Sequence, residues 1–146
     1  MSSFEDKTYD VLNVSGDGHC LFRSVAMEAP PYTHDQLRTM AADWILANGD
    51  KDADGVPLKL YFDLKKGETL AEYVKRLRSG MWGGSGEVYA LSHTLNRRIK
   101  VFAYSKNDNN LTESMDVIPV CYNNESNIIR LLHINNHYDL LRVPTN

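Results

Sequence analysis

A cysteine lies where a glycine-bearing loop meets an apolar run. The stretch SGDGHCLFRSVA, residues 15–26, carries Cys20 after Gly16 and Gly18. At a helix N-terminus, unpaired backbone N–H groups and the helix dipole stabilise a thiolate. The preceding glycines allow close backbone approach and can direct N–H groups at a developing oxyanion. Cys20 is therefore a candidate nucleophile, and the alternative is a buried structural cysteine.

A nucleophilic thiol needs a base, and the base needs an orienting group. The stretch HINNHYDLL carries His137 and Asp139 two residues apart, which places them on the same face of a strand. An aspartate there can accept a hydrogen bond from one imidazole nitrogen and fix the tautomer. A histidine and an aspartate at the wet edge of a strand remain the other interpretation of this pair.

The other histidines suit the role of base less well. His19 is adjacent to Cys20, and neighbouring side chains usually diverge. His34 falls in the first turn of a predicted helix, where we expect it to be solvated. His93 falls within another helix, at the surface or half-buried. His137 is thus the best candidate for the base.

A zinc site is the alternative chemistry that these histidines could support. His133 and His137 have the spacing H-x3-H, and Cys20 or Cys121 could join them. That spacing suits a helix, whereas the surrounding residues predict a strand, and no CxxC or HExxH motif is present. The sequence therefore predicts no metal and no cofactor. Cys121, in PVCYNN, is expected to be a structural residue of a strand.

The whole chain predicts one soluble domain over residues 1–146. It is 42% hydrophobic and 24% charged, with a formal net charge of −3, which argues against a nucleic-acid binder. No stretch approaches the roughly 20 apolar residues of a membrane span, and the N-terminus lacks the pattern of a signal peptide. Two cysteines without CxxC spacing favour a reducing compartment. We expect a cytoplasmic monomer, in the host cytosol if the source is viral or a secreted bacterial effector.

Helix signals come first along the chain and strand signals second. Capping patterns and apolar periodicity predict helices from Cys20 to about Glu28, over 33–48, over 69–78, and from a Ser85 cap to about 95. Residues 50–67 are mostly loop. Runs typical of strands cover 8–14, 99–104, 115–122, 128–134 and 138–143, with a polar turn at 105–110. This order favours an α+β fold with a layer of helices against a small sheet.

Three blocks of this sequence resemble one family. GDGHCLFRS resembles the cysteine box of ovarian-tumour (OTU) family deubiquitinases. MWGGSGEVYALSHTLNRRIKVF resembles that family's Trp-Gly segment with its next helix and first long strand, and LLHINNHYDLL resembles its histidine box. The blocks occur in the family's order and span nearly the whole chain. The resemblance implies a papain-like OTU fold, with a small, mostly antiparallel sheet flanked by helices.

The resemblance also implies roles for individual residues. Cys20 would be the nucleophile, His137 the general base and acid, and Asp139 the orienting acid. Asp17 would shape the oxyanion loop rather than act on His137. The loop would comprise Asp17, Gly18 and His19, whose backbone N–H groups, with that of Cys20, would bind the oxyanion. The residues expected beside the cleft for the Gly-Gly end of a modifier are Trp82, Gly83, Gly84 and Asn136.

The implied activity is that of a cysteine isopeptidase. It would hydrolyse the bond after the C-terminal glycine of ubiquitin or a ubiquitin-like modifier through a thioester. Its partners would be ubiquitin, polyubiquitin or ubiquitin-like modifier conjugates. Two alternatives stay open: a catalytically weak or inactive OTU domain that serves as a ubiquitin-binding module, and a papain-like hydrolase for another modifier.

Overall fold

The computed structural model describes residues 9–53, 55–105, 110–119 and 128–143. In chain order its elements are β1 (Asp10–Leu12), α1 (Cys20–Glu28), α2 (His34–Asn48), β2 (Asp52–Ala53), β3 (Val56–Pro57), a 3₁₀ helix (Leu58–Tyr61), α3 (Leu70–Arg78), α4 (Ser85–Leu95), β4 (Ile99–Ser105), β5 (Asn110–Val117), β6 (Ile129–Ile134) and β7 (His137–Arg142).

Five of these strands form one sheet in the order β1-β7-β6-β4-β5. The pairs β1–β7, β6–β7 and β4–β5 are antiparallel, and β4–β6 is parallel. The predicted α+β fold, with a mostly antiparallel sheet and flanking helices, is therefore confirmed. Strand β1 pairs only with residues 140–142 of β7. Among the described residues, the first half of β7 consequently has one side without a strand partner, and α1 packs there.

Capping boxes open two of the helices, of which the sequence predicts the one at Thr33. At α2, the Gln36 N–H donates to Thr33 Oγ1 at 3.2 Å, and the Thr33 N–H donates to Gln36 Oε1 at 2.9 Å. Thr69 and Glu72 make the same reciprocal pair at α3. These bonds satisfy N–H groups that have no partner within the helix. Both helix starts are confirmed.

The start of α4 differs from the prediction. Ser85 is the first residue of the helix and not its cap, and it lies exposed. The preceding Gly84 N–H donates instead to Glu87 Oε1 at 2.7 Å. The side-chain hydrogen bond at this helix start is therefore made by a buried carboxylate at the third helical position and not by the serine hydroxyl.

Two segments contain more regular structure than predicted. Strand β5 begins at Asn110, inside the predicted turn, because its backbone pairs with β4 while most of its side chains remain exposed. Such a strand carries no hydrophobic alternation for a sequence pattern to detect. The segment predicted as loop holds the β2–β3 hairpin and the 3₁₀ helix. Thr8, residues 120–122 of a predicted strand, and Cys121 lie outside the described residues.

The core lies between the helices and one face of the sheet. It includes Phe22, Leu37, Tyr73, Leu91 and Leu131, all nearly inaccessible to solvent. A smaller cluster on the opposite face consists of Phe102, Leu132 and Leu141. Helices α1 and α4, which begin at the candidate site, are therefore anchored by their apolar faces. Within the described ranges, no helix has the length and apolar character that crossing a membrane requires.

At Gly86, α4 packs closely against the segment before α3. A Cβ at this position would lie 2.1 Å from Phe62 Cδ1 and 3.1 Å from the Tyr61 carbonyl oxygen. Phe62 is buried against the Tyr73 ring and has little room to move. We expect Gly86→Ala to lower the free energy of unfolding by about 1–3 kcal/mol, as measured by urea denaturation.

The matched control for Gly86→Ala is Ser85→Ala, at the exposed neighbouring position. It should change the free energy of unfolding by no more than about 0.5 kcal/mol. Equal stabilities for the two variants would contradict the packing described for Gly86.

Candidate active site

Helix α1 begins at Cys20, as the sequence predicts. The residue is 2% exposed, and its position at the first helical turn places the thiol among backbone N–H groups that lack intrahelical partners. Gly18, two residues earlier, has φ +87°, a backbone conformation that favours glycine. The turn that delivers the chain into α1 therefore requires the glycine of the DGHC motif.

The Cys20 sulfur lies against the backbone on both sides of His137. The Tyr138 N–H donates to Sγ at 3.4 Å, and Sγ approaches the Asn136 carbonyl oxygen at 3.9 Å. Ser24, one turn along α1, donates from Oγ to the Tyr138 carbonyl at 3.1 Å. Within the part of the chain that the structure describes, the thiol makes no hydrogen bond to the imidazole itself. Such catalytic contacts often tighten only when substrate is bound.

The imidazole of His137 is oriented by Asp139. His137 Nε2 lies 2.7 Å from Asp139 Oδ1, and the same oxygen accepts a hydrogen bond from the Val14 N–H at 3.0 Å. Because the carboxylate can only accept, Nε2 carries the proton and Nδ1 is left as the free basic nitrogen. Gly16 lies beside that nitrogen, where a Cβ would be 3.5 Å from Nδ1.

The position of β7 decides between the two interpretations of this pair. The open side of its first half is covered by α1, and the Asp139 side chain is only 14% exposed. The interpretation of the pair as residues at a wet strand edge is therefore wrong. The structure brings Cys20, His137 and Asp139 together from a helix N-terminus and the start of one strand.

The cysteine loop, residues 15–19, is shaped by Asp17. Its Oδ1 accepts the His19 N–H at 3.1 Å, and Arg23 donates to the carboxylate at 2.8 Å. The hydrogen bond from Arg23 is the main cause that lowers the pKa of Asp17 to about 2. The carboxylate contacts its own loop and not His137. Since the His19 N–H already donates to Asp17, contrary to the expectation that it binds an oxyanion, the N–H groups of Asp17, Gly18 and Cys20 are the candidates left.

The side chains of His19 and His34 face each other, with ring centroids 5.1 Å apart. His19 is thereby turned toward α2. The expectation that His34 is solvated is wrong, because its side chain is only 24% exposed.

Nothing in the described ranges supports a metal site. His133 stacks on Tyr138 across β6 and β7, with centroids 4.3 Å apart, while His137 pairs with Asp139. Burial lowers the pKa of His133 below its ordinary value. Among the residues described, no group of three or more His, Cys, Asp or Glu side chains is placed to hold a metal ion.

A cavity of about 770 Å³ is lined in part by Asn136 and Tyr138, whose backbone groups contact the Cys20 sulfur. The four residues expected at the substrate cleft all line it: Trp82, Gly83, Gly84 and Asn136. Trp82 is 48% exposed, and a Cβ on Gly18 would lie 3.2 Å from its Nε1, so the cysteine loop contacts the tryptophan segment, residues 81–84. Cys20 and His137 are not among the lining residues and lie behind Asn136 and Tyr138, which are.

The sequence did not predict the role of two residues behind the tryptophan segment. The Tyr73 hydroxyl donates to Glu87 Oε2 at 2.5 Å, and Glu87 is 1% exposed. Burial raises the pKa of Glu87, and hydrogen bonds from Tyr73 and Gly84 oppose that rise. Glu87 thus accepts the Gly84 N–H and fixes the end of the tryptophan segment. Its position three residues after Gly84 is capping-box spacing, a signal that the neighbouring Ser85 obscured.

Comparison with known proteins gives a consistent family. The model of the family described as OTU-like cysteine protease matches residues 15–138. The chain is 29% identical over 142 residues to the OVARIAN TUMOR DOMAIN-containing deubiquitinating enzyme 6 of Arabidopsis thaliana, covering 94% of this chain and 25% of that protein. It is 27% identical over 144 residues to the OTU domain-containing protein 5 of Homo sapiens, covering 96% of this chain and 23% of that protein. The chain thus spans about a quarter of the length of these relatives.

The fold is also found among solved structures. The structure of the Hazara virus OTU bound to ubiquitin superposes with a TM-score of 0.75 at 19% identity, and the match covers 95% of this chain and 84% of that one. At this identity, the likeness establishes a shared fold.

The arrangement of His137 and Asp139 predicts an order of thiol reactivity. Loss of the imidazole should remove the base that accepts the proton of Cys20. We expect His137→Ala to slow alkylation of Cys20 by iodoacetamide on the order of tenfold. Asp139→Ala should slow it less, and Asp139→Asn least, because an amide oxygen can still accept from Val14 and His137. The rates are measured by mass spectrometry of the peptide that contains Cys20.

Labelling of Cys20→Ser under the same conditions measures the background at Cys121. Equal rates for the wild type and His137→Ala would show that the imidazole does not activate this thiol.

Proposed function

The chain belongs to the family of OTU-like cysteine proteases, and on that premise we propose that it is a deubiquitinase. In this proposal it hydrolyses the bond after the C-terminal glycine of ubiquitin or a ubiquitin-like modifier. The relatives named as deubiquitinating enzymes, and the related OTU structures bound to ubiquitin, support this choice of substrate.

One observation carries the proposal. The thiol of Cys20 at a helix N-terminus lies against the peptide groups that flank His137, whose imidazole is held by Asp139. A thiol, a base and an orienting carboxylate in this order are the set that acyl transfer by a cysteine nucleophile requires. The adjoining cavity offers space for an extended peptide tail beside the sulfur.

The chemistry follows from these groups. The Cys20 thiolate attacks the carbonyl carbon of the modifier's terminal glycine, and the carbonyl oxygen gains the negative charge. The N–H groups of Gly18 and Cys20 stabilise that oxyanion. As the C–N bond breaks, protonated His137 gives its Nδ1 proton to the departing lysine amine, which leaves a thioester on Cys20.

The second half returns the enzyme to its starting state. Neutral His137 takes a proton from water, and the resulting hydroxide attacks the thioester carbonyl. The C–S bond breaks, the modifier leaves as a carboxylic acid that loses its proton to solvent, and Cys20 is regenerated as a thiolate beside the imidazolium. Asp139 keeps the imidazole oriented throughout, because its Oδ1 is fixed by the Val14 N–H as well.

The tryptophan segment suits a tail without side chains. Trp82 and Asn136 line the cavity from opposite loops, and Gly83 lies so close to α1 that a Cβ would be 2.6 Å from Leu21 Cδ2. We therefore assign the Gly-Gly end of the modifier to the passage between these two loops, next to the Cys20 sulfur.

A ubiquitin probe with a C-terminal electrophile tests the proposal. We expect the wild-type chain to form a covalent adduct at Cys20, because only an aligned thiolate reaches the probe's reactive carbon. Cys20→Ala should form none, should fail to hydrolyse ubiquitin conjugates, and should still bind ubiquitin. Adduct formation is measured as a mass increase of the intact protein.

Cys121→Ser is the matched control and should label like the wild type. Binding of ubiquitin by the wild-type chain without adduct or hydrolysis would identify an inert binding module. Labelling only by probes built on a ubiquitin-like modifier would instead assign the activity to that modifier.

A further inference from the structure

Arg38 is a buried cation next to the candidate active site. It is 5% exposed on α2, and its guanidinium lies 4.5 Å from the centroid of the Phe22 ring. Burial lowers its pKa from the ordinary value, and Glu87 and Asp35 favour the charged form. A guanidinium stays protonated under these conditions. Burying a charge costs free energy unless hydrogen-bond partners compensate for the lost water, so the groups that Arg38 contacts are decisive.

The guanidinium contacts the cysteine loop through one nitrogen. Nη2 donates to the Gly18 carbonyl oxygen at 3.1 Å and lies 3.0 Å from His19 Nδ1. Because every guanidinium nitrogen is a donor, His19 Nδ1 must be the acceptor. Arg38 therefore fixes both a backbone carbonyl of the loop and the tautomer of the side chain that follows it.

The opposite edge of the same peptide group is held as well. The Gly18–His19 peptide directs its carbonyl at Arg38, and its N–H donates to Asp17 Oδ1 at 3.1 Å. Arg23 in turn holds the Asp17 carboxylate. At Gly18, with φ +87° and no side chain, the backbone has the freedom to rotate this peptide plane. Arg38 and Asp17 remove that freedom from two sides.

The second terminal nitrogen reaches the other wall of the cleft. Nη1 donates to the Leu77 carbonyl at 2.8 Å and to the Met81 carbonyl at 2.6 Å. Met81 begins the tryptophan segment, and Trp82 contacts Gly18. A single side chain thus joins the end of α3, the tryptophan segment and the cysteine loop.

We propose that Arg38 is a positioning residue for acyl transfer. By fixing the Gly18–His19 peptide, it sets the orientation of the two neighbouring peptide groups, whose Gly18 and Cys20 N–H groups are then directed toward the oxyanion. It also fixes the position of this loop relative to the tryptophan segment. Arg38 does not line the cavity and acts through the groups that it holds. The inference rests on the proposed function for its chemistry, since oxyanion stabilisation matters only where a carbonyl is attacked.

The test compares two reactions of the same thiol in Arg38→Lys and Arg38→Met. Hydrolysis of a fluorogenic ubiquitin C-terminal amide passes through an oxyanion, whereas alkylation by iodoacetamide displaces iodide at a saturated carbon and forms none. Lysine keeps the charge but lacks the planar fork that reaches two loops. We expect both variants to lose roughly 10- to 100-fold in kcat, with KM and the alkylation rate of Cys20 unchanged.

Arg78→Met is the matched control. Arg78 also links α3 to α2, through Asp43 at 2.7 Å, but it is an exposed pair remote from the cysteine loop. This variant should keep wild-type kinetics. If Arg38→Met does not fold, Asp17→Ala releases the opposite edge of the same peptide at an exposed position, and it should show the same selective loss of kcat.

Parallel losses of hydrolysis and alkylation in folded variants, or a rise in KM alone, would overturn the positioning role. If the wild-type chain itself does not cleave the ubiquitin substrate, the proposed function fails separately. Arg38 is then tested with p-nitrophenyl acetate, whose acylation of Cys20 also forms an oxyanion. A selective loss of acylation relative to alkylation would still support the inference, and equal rates would reject it.

Discussion

The site depends on how α1 closes the open side of β7. Strand β1 ends at Leu12, and no other strand of the described ranges pairs with the backbone of Tyr138 on that side. Helix α1 supplies both missing partners, because Cys20 Sγ accepts the Tyr138 N–H and Ser24 Oγ donates to its carbonyl. A buried peptide group left unpaired would cost free energy. The requirement to satisfy the backbone N–H and carbonyl of one residue therefore holds the nucleophile beside the strand that carries the base, across more than a hundred residues of chain.

Charged groups around the nucleophile are arranged so that each fixes a backbone group. Asp17 holds a peptide N–H, Arg38 holds carbonyls of two loops, and Glu87 holds the N–H of Gly84. Each of these groups is ionisable, yet each is used for the geometry of the loops. A rigid, preorganised set of backbone dipoles is what stabilises charge that develops during a reaction.

Local signals predicted those parts of the fold that local interactions determine. The capping box at Thr33 and the spacing of His137 and Asp139 each involve residues within one turn or one strand. Strand β5 begins at Asn110 and not at residue 115 as predicted, because most of its side chains are exposed and only pairing with the β4 backbone defines it. The burial of Arg38 was not predictable, because its acceptors lie 19 to 43 residues away and a charged residue on a helix normally indicates the solvent face.

The hydrogen bond from the Val14 N–H to Asp139 makes a backbone amide a spectroscopic observer of the site. Asp139 Oδ1 is shared between that amide and His137 Nε2. Any change in the charge or position of the imidazole alters the electron density at the shared oxygen, and the amide proton resonance of Val14 responds. An isotopically labelled sample would thus follow the state of the catalytic pair in solution, residue by residue, without a substrate, an inhibitor or a substitution.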